Sequence, residues 1–135
     1  MIGIVLVSHA GIADELLHAA ELILGPVRSI AAVSISRDMS IDVAKEKLQQ
    51  ALKAVNNNQD GVIILTDLFG GTPTNLSAEF LQDGDIEILT GVNLPMLLKG
   101  ISSREDHDLN GLATLLKDYA QNAIMRPSEL LRSVR

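Results

Sequence analysis

An α/β fold with an open parallel sheet and helices on both faces is what three observations on the 135-residue sequence predict. Short continuous apolar runs rich in β-branched residues recur along the chain, as strands buried on both faces do. Between them lie stretches whose apolar residues repeat at helical spacing. The two kinds of segment alternate as β-α-β-α-β-α-β-α-α, and right-handed crossovers then wind helices over both faces of the sheet. A doubly wound, flavodoxin-like order 2-1-3-4 is expected for the four strands.

The first strand is expected over Ile2 to Val7, ending at Ser8 and His9. Gly11 to Leu24 carries apolar residues at positions 12, 16, 17, 20, 23 and 24, a helical stripe with Asp14 and Glu15 near its positive end, and Gly25-Pro26 stops it. Ser29 to Ser36 alternates around Ile30, Ala32, Val33 and Ile35 as a second strand. Ser40 is an N-cap for a helix with apolar positions 44, 48, 51, 52 and 55, which Asn56-Asn57-Asn58 ends. Val62 to Leu65 is the third strand, followed by a helix from about Pro73 to Leu81, with Thr72 as its N-cap and Pro73 as its first residue. Asp83-Gly84-Asp85 turns the chain into the fourth strand, Ile86 to Leu89. Pro95 sits in the first turn of the next helix, and after the polar loop Ser102 to Asp108 comes a last stripe at 109, 112, 113, 116, 119 and 120. The tail, Ala123 to Arg135, has Ile124 and Met125 before Pro127 and is ambiguous, an edge strand that Pro127 would end being one reading.

Composition bounds the function. With 47% hydrophobic residues the chain is expected to form a single domain over residues 1–135 without staples. Aromatic residues make up only 2%, so base stacking has almost no platform, and a formal charge of -6 opposes binding to a phosphate backbone. Nucleic acid is therefore not an expected partner. The absence of cysteine excludes disulfides and thiolate chemistry. The N-terminus lacks a basic leader and its apolar run is too short to span a bilayer, which reads as a cytoplasmic protein.

Order 2-1-3-4 makes strands 1 and 3 neighbours at the switch point, where ligands bind beyond the carboxyl ends of strands. His9 and Asp67 follow those two ends and should face each other. A carboxylate that holds one imidazole nitrogen as a donor leaves the other as a nucleophile, a pairing suited to accepting a phosphoryl group. Gly70 and Gly71 can bring backbone amides close to a ligand, and with the Thr72 amide and hydroxyl they form a candidate phosphate nest at a helix N-terminus. His9 and Asp67 supply only two metal ligands, so no metal is expected, and phosphoryl transfer on a histidine requires no organic cofactor. His18 lies mid-helix and His107 in an acidic loop; neither shares a motif. A receiver domain would need acids after strand 1, where Ser8-His9 stands. A flavodoxin would need a phosphate loop there, and Ala10-Gly11-Ile12 is not one. Neither a Walker sequence nor a Gly-x-Gly-x-x-Gly fingerprint is present.

Three motifs, Val7-Ser8-His9, Asp67-Leu68-Phe69-Gly70-Gly71-Thr72-Pro73-Thr74-Asn75 and Thr90-Gly91-Val92-Asn93-Leu94-Pro95-Met96-Leu97, resemble those of the mannose-type IIA component of the bacterial phosphoenolpyruvate-dependent sugar phosphotransferase system. The resemblance covers nearly the whole chain. It implies that His9 takes phosphate from the phosphohistidine of the carrier HPr and passes it to a IIB component, with Asp67 orienting the imidazole. It also implies a homodimer in which a C-terminal strand, Ile124 to Arg126 here, crosses antiparallel to the partner's sheet. Ile12, Leu68 and Phe69 are candidates for the apolar part of a docking surface, with core packing as the other reading. A membrane is met only indirectly, through a permease. Family members commonly carry Gly directly after the histidine, whereas Ala10 and then Gly11 stand here. No IIB domain follows residue 135, so the acceptor is expected on a separate chain. Two other readings stand beside this one: a regulatory module using the same His9 chemistry, and a small-ligand domain without phosphoryl transfer.

Overall fold

The computed structural model describes residues 1–133. Its order is β1 (Gly3–His9), α1 (Ile12–Leu24), β2 (Ile30–Ile35), α2 (Ile41–Val55), β3 (Val62–Thr66), α3 (Thr72–Ala78), a 3-10 turn (Leu81–Asp83), β4 (Ile86–Leu89), α4 (Leu94–Ser103), α5 (Leu109–Asn122) and α6 (Pro127–Ser133). The four strands pair in parallel in the expected order β2-β1-β3-β4.

Alternation along the central strands feeds two cores, which is why those strands are apolar at both parities. Ile4 and Leu6 of β1 and Ile63 and Leu65 of β3 pack with α1, α4 and α5 through Ala13, Leu97, Leu112 and Leu116. Val5, Val7, Val62 and Ile64 face the other way, onto Leu48 and Leu52 of α2 and Leu76 of α3. Each fully buried Leu, Ile or Val contributes about 1.5–3 kcal/mol relative to exposure, so this double layer holds the strand ends rigidly beneath the site. Gly3 has no room for more, because a Cβ there would lie 2.5 Å from the Val55 carbonyl oxygen.

Helix starts follow their side-chain chemistry. Ser40 Oγ accepts from the Val43 N–H at 3.2 Å, as its sequence position suggests, and Asp108 Oδ1 accepts from the Gly111 N–H at 2.7 Å. Asn93 caps α4 by accepting from the Met96 N–H and also donates to the Ala120 carbonyl, which ties α4 to α5. Arg104 ends α4 with its guanidinium buried, donating to the carbonyls of Ile2, Arg28 and Ser29. Burial holds its pKa below the usual arginine value; nearby Glu105 opposes that and Arg28 adds to it.

Two expectations need correction. Thr72 is not an N-cap: Gly71, with φ -88° and ψ 172°, takes that place, and Thr72 and Pro73 are the first two helical residues. The helix is also shorter than expected, closing at Ala78 before the 3-10 turn. In the tail, residues 124–126 pair with no strand of their own chain. Pro127 opens α6 instead, because a proline that ends strand pairing is equally suited to the first turn of a helix. Arg126 supports that start, its guanidinium 3.2 Å from Glu129 and its carbonyl accepting from the Glu129 N–H. The expected tail also includes Val134 and Arg135, which lie outside the described residues.

Candidate functional site

At the carboxyl ends of β1 and β3 the register pairs Val7 with Thr66, so the chains leave the sheet side by side at His9 and Asp67. Asp67 Oδ2 accepts from the His9 backbone N–H at 2.9 Å and stands 2.9 Å from His9 Nδ1. An ionised carboxylate only accepts, so this contact assigns the proton to Nδ1 and leaves the Nε2 lone pair free. The His9 side chain is 48% exposed and that of Asp67 11%: the base is presented and its holder is sheltered. Asp67 Oδ1 is buried without a hydrogen-bond partner among the described residues.

The glycine turn meets the imidazole on its free edge. A Cβ on Gly71 would lie 2.7 Å from His9 Cε1 and 3.2 Å from Nε2, a space that only glycine leaves open. Gly70 has φ +88°, the left-handed region that favours glycine, and this reversal turns the loop toward α3. The hydroxyl of Thr72 is not used for capping, and it stands exposed at the start of α3. Of the proposed docking residues, Phe69 is 81% exposed, Leu68 56% and Ile12 48%, so none of the three is core.

The turn after His9 is built by a hydroxyl that a simple capping pattern does not flag. Gly11 is the N-cap of α1 and offers no side chain, and Ser8 Oγ accepts from the Ala13 N–H at 2.7 Å in its place. The same hydroxyl donates to the Ala10 carbonyl. Ala10 sits at φ +47°, where an L side chain is disfavoured by about 1–2 kcal/mol, so the loop keeps at alanine the conformation that glycine adopts freely. Val92 of the loop before α4 donates to the Thr66 carbonyl, bringing the third sequence motif against the base of the site.

The other histidines stay apart. His18 is exposed on α1, 3.6 Å from Glu15, and His107 Nδ1 donates to the Ser103 carbonyl. Among the described residues no group of three or more His, Cys, Asp or Glu is placed to hold a metal ion. No helix among them is long and apolar enough to cross a membrane.

Comparisons with known proteins identify the family. The EIIA-man family model, described as PTS system fructose IIA component, matches residues 3–117. The fructose-specific EIIA component of Bacillus subtilis is 34% identical over all of this chain and 92% of its own length. The mannose-specific EIIAB component of Escherichia coli K12 is 30% identical over 78% of the chain, which spans 32% of that longer protein. Among solved structures, phosphotransferase system component EIIA from Streptococcus agalactiae superposes with a TM-score of 0.86 at 29% identity, covering 96% of this chain and 99% of the other. The mannose/sorbose-specific IIA subunit from Enterococcus faecalis gives a TM-score of 0.81 at 26% identity, over 93% of each chain. The chain belongs to the mannose-type IIA components of the sugar phosphotransferase system.

Proposed function

We propose that the protein carries a phosphoryl group on His9 Nε2, received from the phosphohistidine of HPr and passed to a IIB component on a separate chain. One observation carries the reading: Asp67 Oδ2 engages both the backbone and Nδ1 of a half-exposed His9, leaving Nε2 as the nucleophile. The Nε2 lone pair attacks phosphorus while the P–N bond to the donor imidazole breaks, and that electron pair leaves with the donor nitrogen. Nδ1 keeps its proton throughout. The ring therefore becomes positive as the phosphoryl group arrives, and the Asp67 carboxylate stabilises that charge.

Gly70, Gly71 and Thr72 are the proposed phosphate-binding residues, through backbone amides and the Thr72 hydroxyl. Histidine is both donor and acceptor, so positioning matters more than driving force. Ile12, Leu68 and Phe69 form the apolar part of the docking surface, and the charge of -6 complements a basic partner face. The reading places the protein in the cytoplasm, meeting a membrane only through a permease. The Bacillus subtilis relative, matched over 92% of its length and named as an EIIA component alone, supports a separate IIB chain. Incubation with phosphoenolpyruvate, Enzyme I and HPr is expected to give acid-labile phosphate with 15N–31P coupling to Nε2 of His9. No label, or label on another residue, overturns the proposal.

The proposed assembly is a homodimer. Strand β4 is a sheet edge, and beside it Phe69, Leu89, Met96 and Ile124 help line a groove of about 400 Å³. Ile124 and Met125 are 79% and 61% exposed, apolar residues suited to pairing along a partner's β4. Truncation after Ala123 is expected to shift the sedimentation profile toward monomer; an unaltered profile rules out the exchanged strand.

A further inference from the structure

Among the described residues the carboxylate of Asp67 is held at one oxygen alone, so its aim depends on the backbone that carries it. One hydroxyl bonds the residues on both sides of Asp67, to backbone on one side and to a side chain on the other. Thr74 Oγ1 donates to the carbonyl of Leu68, the residue after Asp67, at 2.5 Å. It also lies 2.7 Å from Oγ1 of Thr66, the residue before Asp67. A hydroxyl has a single proton, and Thr74 gives it to Leu68, so Thr66 is the donor and Thr74 the acceptor in the second bond. Thr66 is fully buried, which leaves its hydroxyl no alternative partner in water.

We propose that Thr74 is a positioning residue for phosphoryl transfer: its hydroxyl links the residues on either side of Asp67 to the first turn of α3 and so aims the carboxylate at His9 Nδ1. The inference rests on the acceptor role of His9 given above. The clamp spans the turn that presents Gly71 to the imidazole, so one side chain sets both the Nδ1 partner and the surface facing Nε2. A threonine on an exposed helix turn has no such duty: its hydroxyl bonds within the helix or to water.

The test compares Thr74→Val, which keeps the shape and removes the hydroxyl, with Thr74→Ser, which restores it. Two readouts are taken: the His9 tautomer from imidazole 15N shifts in unphosphorylated protein, and the rate of phosphorylation by phospho-HPr. Thr74→Val is expected to raise the Nε2-protonated share and slow phosphorylation about tenfold, smaller than the loss from a full 1 Å misplacement, while Thr74→Ser recovers both. In an Asp67→Asn background Thr74→Val should add no further loss, because Thr74 acts through Asp67. An unchanged tautomer and rate in Thr74→Val, or an equal loss in both backgrounds, overturns the proposal. Should Thr74→Val fail to fold, Thr66→Val removes the buried donor alone and is read by the same assays and criteria. Wild-type protein that takes no label refutes the acceptor role instead, and the tautomer measurement still decides the clamp.

Discussion

Gly71→Ala is expected to slow His9 phosphorylation by about 100-fold while leaving the protein folded. The added Cβ would stand 2.7 Å from His9 Cε1, closer than real Cβ contacts allow, so something must move. The other neighbour, Pro73 Cδ at 3.6 Å, is an ordinary contact, and φ -88° at position 71 suits an L residue. The imidazole is therefore the part that yields. It is 48% exposed and swings outward easily, losing the Asp67 contact and the alignment of Nε2. Folding stability should change by less than about 1 kcal/mol, as for surface substitutions free of burial or strain. Phospho-HPr kinetics and calorimetry on the same preparation separate the two effects. A wild-type rate in Gly71→Ala would show that the imidazole does not need the open face that glycine provides.

The juxtaposition of His9 and Asp67 was legible because it depends on strand order, and strand order depends on strong signals: apolar runs, helical stripes and right-handed crossovers. The position of Thr72 was missed by one residue. Thr-Pro reads as N-cap and first turn, but Gly71 was free to take the extended cap conformation itself. The tail was ambiguous for a different reason: Pro127 both ends strands and starts helices, and only chain context separates the two. Least visible were the hydroxyls. Ser8 caps an amide five residues ahead, outside the usual N-cap spacing, and Thr66 meets Thr74 only because the intervening glycine turn folds β3 back against α3.

These hydroxyls give the site a division of labour. His9 is half exposed, while the turns that carry it and Asp67 are held by the hydroxyls of Ser8, Thr66 and Thr74.

Asp67→Asn tests the other half of that geometry and is expected to lower the phosphorylation rate by roughly 10- to 150-fold, the equivalent of about 1.5–3 kcal/mol for a hydrogen bond to a charged group. The amide keeps the shape of the carboxylate, so packing around position 67 changes little. Its oxygen, placed where Oδ2 is, can still accept from the His9 backbone N–H and from Nδ1. Its NH2 then takes the buried place of Oδ1, which has no partner among the described residues, so the orientation is strained by an unsatisfied donor. The flipped amide instead offers N–H to Nδ1 and forces the proton onto Nε2, which removes the nucleophile. Either orientation also loses the negative charge that stabilises the positive phosphorylated ring. Two consequences should therefore appear together: a larger Nε2-protonated share in the imidazole 15N spectrum, and a phosphohistidine that forms slowly. Wild-type kinetics with an unchanged tautomer in Asp67→Asn would remove Asp67 from the reaction and leave His9 to be oriented by its backbone alone.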